Sequence, residues 1–213
     1  MDIVWTFGDS YTESFREDIE WSNRYIKWKG YIPKVYGEIV SEKLGMHLNN
    51  FGKGGTNNYT IFQNICDNIW NINANDIVII SWTQQHRFRL ANSNNKWEDF
   101  YNDSEHYTQK LKNCEFISTE TIRQIIFNRL NSIYLQEIRS WEEIIRKALP
   151  DTKLVFWSPF DDIELGEMRF KMDIITNETD FFIIDPHFSE TGQQQLAFLL
   201  MDRLGIQNDK SLC

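Results

Sequence analysis

Residues 76–82 read Asp-Ile-Val-Ile-Ile-Ser-Trp. Positions 77–80 are apolar and β-branched without interruption, where a half-exposed strand would alternate. Such a run suits a parallel strand covered on both faces. Working outward, residues 2–7 (Asp-Ile-Val-Trp-Thr-Phe) predict a second buried strand, ended by Gly8-Asp9-Ser10. A short strand is predicted at about 46–51 before the glycine group 52–55, another at Leu154–Trp157 before Ser158-Pro159, and a last one at Phe181–Ile184. Helical spacing lies between them. Val35, Tyr36, Ile39, Val40 and Leu44 mark 33–44, with Pro33 suited to the start. Ile61, Ile65, Ile69 and Ile72 mark 58–72. Residues 119–148 predict one long helix or two abutting ones. A closing helix runs to about Leu204, capped by Ser189, with Leu196, Ala197, Leu199 and Leu200 facing inward. Strands alternating with helices imply an α/β fold whose central parallel sheet has about five strands and helices on both faces.

The 213 residues suit one domain, taken as 1–213, with a polar and aromatic excursion at about 86–118. The formal charge is −9 and the pI about 5.0, with no basic run. Nucleic acid, which demands a cationic surface, is therefore not an expected partner. Cys66, Cys114 and Cys213 are far apart and fit no zinc spacing, so free thiols in a reducing compartment are expected. The first residues, Met-Asp-Ile-Val-Trp-Thr-Phe-Gly-Asp-Ser, lack a basic n-region and are not read as a signal peptide. No stretch approaches the ~20 apolar residues of a membrane span. A cytoplasmic setting is expected. Aromatic residues make up 15% of the chain, with 8 Trp, a surplus that often lines a pocket.

Every polar motif sits at a predicted carboxyl end of a strand, where ligands bind in open α/β sheets. Ser10 follows the first strand, and a serine hydroxyl becomes a nucleophile when a base takes its proton. Asn50-Phe51-Gly52-Lys53-Gly54-Gly55 follows the second, and glycines let backbone amides approach a ligand closely. Such an amide can hold the oxyanion of a tetrahedral intermediate. No Gly-Lys-Ser/Thr completes a phosphate loop. Asp185-Pro186-His187 follows the last strand, placing a histidine base beside a carboxylate.

These three blocks, in this order, resemble the SGNH/GDSL hydrolases. That family sets Gly-Asp-Ser after strand one, Asn-x-Gly-x-x-Gly after strand two and Asp-x-x-His before the final helix. The resemblance runs over nearly the whole chain and implies a three-layer α/β/α sandwich like flavodoxin. It implies Ser10 as nucleophile, His187 as base and Asp185 as its orienting partner. The amides of Ser10 and Gly55 would form part of an oxyanion hole.

Two departures stand out. Only Pro186 separates Asp185 from His187, where the family has two residues. The family's Gly-x-Asn-Asp after strand three is replaced by Ser81-Trp82-Thr83-Gln84-Gln85-His86-Arg87. Counting from Asp76 sets Gln85 at the position of the family asparagine, with Gln84 as the alternative. Arg87 offers a planar fork for a substrate carboxylate or phosphate, or an ion pair with an acidic residue; Arg89 offers the same. Arg87, Trp82 and Asn57 form the expected substrate-binding set. The aromatic segments 21–31 and 97–107 either fold over the catalytic end or anchor long loops.

The expected activity is a serine-dependent ester hydrolase acting on a small-molecule or glycan ester, in its narrowest form a carbohydrate O-acetylesterase. No metal or organic cofactor is implied. An O-acyltransferase using the same Ser/His pair is one rival. A catalytically inactive binding or structural module of the same fold is the other.

Overall fold

The computed structural model describes residues 2–84, 87–91, 97–100, 134–159, 168–169 and 188–206. In chain order the elements are β1 (Ile3–Gly8), α1 (Glu20–Lys29), α2 (Tyr36–Leu44), β2 (His47–Gly52), α3 (Asn58–Asn68) with a 3₁₀ turn at Ile69–Asn71, and β3 (Ile77–Ser81). There follow β4 (Phe88–Ala91), β5 (Trp97–Phe100), α4 (Tyr134–Ala148), β6 (Lys153–Ser158), β7 (Met168–Arg169) and α5 (Glu190–Arg203).

The main sheet has the order β2-β1-β3-β6-β7, and all its pairs are parallel. Four strands of five or six residues carry it, and β7 adds two residues at the edge. The strand predicted at 181–184 lies outside the described residues. Strand order reverses between β1 and β3: the chain leaves β1 toward β2, then returns to the other side of β1. That reversal opens a crevice beyond the carboxyl ends of β1 and β3.

The unbroken apolar runs are explained by the layers on either side. Val4, Ile77, Ile79, Val155 and Trp157 face α2 and α5, where Val40, Leu196, Ala197 and Leu200 meet them. Trp5, Phe7, Val78, Ile80, Trp82 and Phe156 face the other way, toward Ile61 and Ile65 of α3 and Ile138 and Ile145 of α4. The result is a three-layer α/β/α arrangement. Much of the aromatic surplus is core. Trp5, Phe7 and Phe51 stack within 11° of parallel, and Trp82 lies parallel to Phe156. Rings bury large apolar area in few side chains, which suits the compact middle layer.

Ser189 caps α5 as predicted, its Oγ accepting the Gly192 amide. The inner face differs by one position. Leu199 is 43% exposed and Met201 is buried, because the stripe Leu196, Ala197, Leu200, Met201 leaves position 199 outside it. Helix α1 was not read from the sequence. Ser22, Tyr25 and Ile26 are buried at helical spacing, and Gly30 ends the helix at φ 78. The predicted excursion contains an antiparallel ribbon, β4 with β5. The predicted helix at 119–148 is described from Tyr134 onward. Among the described residues, no helix is long and apolar enough to cross a membrane.

At the amino end of β3 the buried Asp76 ties two strands together. One carboxylate oxygen accepts the Ile3 amide at 2.9 Å, and the other accepts the Trp5 indole and the Asn73 amide, each at 2.9 Å. Burial opposes its charge, but the hydrogen bonds from Asn73, Trp5 and Ile3 outweigh it and hold the carboxyl below its ordinary value. A lowered value stabilises the fold at neutral pH, and that contribution disappears as the pH falls below about 4. Asp76→Ala is expected to cost about 2–4 kcal/mol in urea unfolding at pH 7. It should also flatten the loss of stability below about pH 4. An acid limb identical to that of the parent would contradict this role.

Candidate active site

The turn after β1 is built by Asp9. Its backbone carbonyl accepts the amides of Thr12 (3.0 Å) and Glu13 (3.1 Å), a single helical turn with Ser10 at its start. Its side chain is fully buried. Oδ1 accepts the Tyr11 amide at 3.1 Å, while Oδ2 accepts the Thr83 hydroxyl at 2.5 Å and Arg87 Nη1 at 3.1 Å. Ser10 itself is half-buried. Among the described residues, neither its hydroxyl nor its amide has a hydrogen-bond partner.

The glycine block comes directly against this turn. Asn50 fixes the approach: its Nδ2 donates to the Thr12 carbonyl (2.8 Å) and Ser14 Oγ (2.9 Å), and its Oδ1 accepts Thr6 Oγ1 and the Gly52 amide. Gly52 is required by closeness, since a Cβ there would stand 2.4 Å from the Thr12 carbonyl carbon. A Cβ on Gly54 would lie 3.6 Å from the Ser10 Cβ, so the two motifs meet. The Gly54 amide donates to Glu13 Oε2 at 2.8 Å. Gly55 adopts φ 75, a conformation natural to glycine. No partner for its amide is found among the described residues. Among the described residues, the amides of Ser10 and Gly55 are thus both without a partner.

His187, Asp185 and Gln85 lie outside the described residues. Their neighbours are informative. Phe188 is buried and packs edge-on against Tyr11, with ring centroids 5.0 Å apart. The residue following Ser10 therefore touches the residue following His187. Tyr31 adds a tie on the same side, its hydroxyl donating to Glu190 Oε2 at 2.5 Å.

The expected substrate-binding set fares differently. Trp82 is fully buried; it stacks on Phe156, and its Nε1 donates to Glu142 at 2.8 Å. It continues the core face of Val78 and Ile80, with no surface to offer a substrate, and the expectation for Trp82 is corrected accordingly. Asn57 is a buried N-cap of α3, its Oδ1 accepting the Thr60 amide at 2.9 Å. Arg87 is engaged with Asp9. Gln84 is half-buried, and its carbonyl accepts the Arg87 amide at 3.3 Å.

Three contributors were missed by the sequence reading. Asn58 grips the backbone of Thr83 from both sides, donating to its carbonyl (2.8 Å) and accepting its amide (2.7 Å). This fastens the exit of β3 to the start of α3. Thr83 and Glu13 complete the set. None belongs to a recognisable spacing, because each acts on a segment distant in sequence. Buried hydroxyls at Thr56 and Ser81 find no partner among the described residues. No group of three or more His, Cys, Asp or Glu able to hold a metal occurs among those residues.

No family model and no curated protein matches the chain. Among solved structures, an acetyl xylan esterase (Est2A) from the rumen bacterium Butyrivibrio proteoclasticus is similar at 10% identity and TM-score 0.44, over 97% of this chain and 65% of that one. The chain thus spans about two thirds of that protein's length. A putative GDSL-like lipase from Parabacteroides merdae is similar at 13% identity and TM-score 0.42, over 97% of this chain and 96% of the other.

Proposed function

We propose that this protein is a serine-dependent ester hydrolase that works through an acyl-enzyme. The observation that carries the reading is the contact of Tyr11 with Phe188, the immediate successors of Ser10 and His187. It is supported by the unpartnered amides of Ser10 and Gly55 in the same crevice.

In this reading Ser10 Oγ attacks the ester carbonyl carbon while His187 takes its proton. The carbonyl π electrons move to oxygen, and the amides of Ser10 and Gly55 hold that oxyanion. Gln85 is the residue we assign as a further, side-chain N–H donor to that oxygen. Collapse of the intermediate breaks the bond to the alcohol, which leaves with the proton from His187. Water then attacks the acyl-enzyme, again giving its proton to His187, and the acid departs as Ser10 regains its hydroxyl. Asp185 orients the imidazole and stabilises its protonated form. The substrate class we infer is a small acyl ester of a carbohydrate, such as acetate on a sugar. Its support is the aromatic content of segments 21–31 and 97–107.

The test is hydrolysis of p-nitrophenyl acetate beside Ser10→Ala and His187→Ala. Each substitution is expected to lower kcat by about 10³-fold or more. Turnover by Ser10→Ala equal to that of the parent would refute the mechanism. Gln85→Ala should lower kcat by roughly 10²–10³-fold, the effect of removing one oxyanion donor. The same loss in Gln84→Ala instead would reassign that donor. On acetylated oligosaccharides the enzyme should release acetate faster than it releases longer acyl groups from matched esters. The reverse preference would remove the sugar-acetate assignment and leave the hydrolase.

A further inference from the structure

We infer that Arg87 is a positioning residue, acting through Asp9 to hold the nucleophile turn, the glycine block and the β3 exit in register. The inference deepens the hydrolase reading and rests on it. Arg87 Nη1 lies 3.1 Å from Asp9 Oδ2 and 3.5 Å from the Thr56 carbonyl. Asp9 directly precedes Ser10, and Thr56 directly follows Gly55. One nitrogen thus spans the two segments whose amides would meet the oxyanion. The Arg87 amide also donates to the Gln84 carbonyl, so the same residue closes the stretch that carries the glutamines.

The burial makes this more than a surface ion pair. The Asp9 side chain is 0% exposed and that of Arg87 only 14%. A buried carboxylate left without its cation is strongly unfavourable, so the loop and the turn are held as one unit. Thr83 takes part in the same node through its hydroxyl bond to Asp9 Oδ2. The planar guanidinium reaches two acceptors in fixed directions, which an ammonium point charge does not reproduce. Catalysis is sensitive to this because a displacement of about 1 Å in the donors costs ~10²-fold in rate.

The experiment compares the full-length protein with Arg87→Ala and Arg87→Lys. Two readouts are taken: kinetics on p-nitrophenyl acetate and amide hydrogen exchange at Tyr11, Thr12 and Glu13. Arg87→Ala is expected to lose ~10²-fold in kcat with KM little changed. Added guanidinium ion should restore part of that loss, and Arg87→Lys should fall between. The Tyr11, Thr12 and Glu13 amides should exchange faster in Arg87→Ala. A raised KM with kcat retained would overturn the proposal and make Arg87 a substrate contact. Unchanged exchange at these amides would overturn it whatever the kinetics. If the parent itself shows no turnover, the hydrolase reading falls, while faster exchange still upholds the positioning role. Should Arg87→Ala fail to fold, Arg87→Lys carries the same comparison.

Discussion

A carboxylate taken wholly out of water must replace its hydration with protein donors, and Asp9 does so with three from different parts of the chain. The Tyr11 amide belongs to its own turn, the Thr83 hydroxyl to the exit of β3, and the Arg87 guanidinium to the segment beyond. Because each donor satisfies a charge that would otherwise be stranded, none can drift without cost. The geometry around Ser10 follows from that constraint. The turn is short, Ser10 stands at its start, and the glycine block closes against it.

A second clasp works in the same sense from the other side. Asn50 uses both ends of its carboxamide to bind the Thr12 carbonyl, Ser14, Thr6 and the Gly52 amide. Asn58 does the equivalent for Thr83. The polar side chains at the carboxyl end of the sheet are thus mostly occupied in holding loops to one another. Among the described residues, the hydroxyl and amide of Ser10 and the amide of Gly55 find no partner, and neither do the buried hydroxyls of Thr56 and Ser81. In the proposed reading, the held loops supply the preorganisation that an oxyanion site requires.

The strands were legible because a parallel strand covered on both faces has no polar alternation to confuse it. Positions 77–80 and 154–157 announced themselves, and the strands fell at Ile77–Ser81 and Lys153–Ser158. Helix α1 was not legible, since Glu20–Lys29 is largely polar and its apolar stripe is narrow; Gly30 was the available cue. The ribbon of β4 and β5 was hidden because each strand has four residues, too few to show a period. Its pairing of Arg89 opposite Asp99 has meaning only once the register is known. In the site, Ser10 and the glycine block were readable from their positions after strands. The partner of Arg87 was not, because 31 acidic residues were available and nothing local selects Asp9. Trp82 was placed in the substrate-binding set, yet it obeys the two-residue period of Val78 and Ile80 and turns inward.

The central claim is that Ser10 is a nucleophile activated by His187. It is tested most directly by treating the folded protein with a fluorophosphonate and mapping the adduct by peptide mass spectrometry. The account predicts a single modified residue, Ser10, with labelling abolished in His187→Ala while the variant stays folded. A parent protein that takes up no label, or that is labelled equally well without His187, would contradict it.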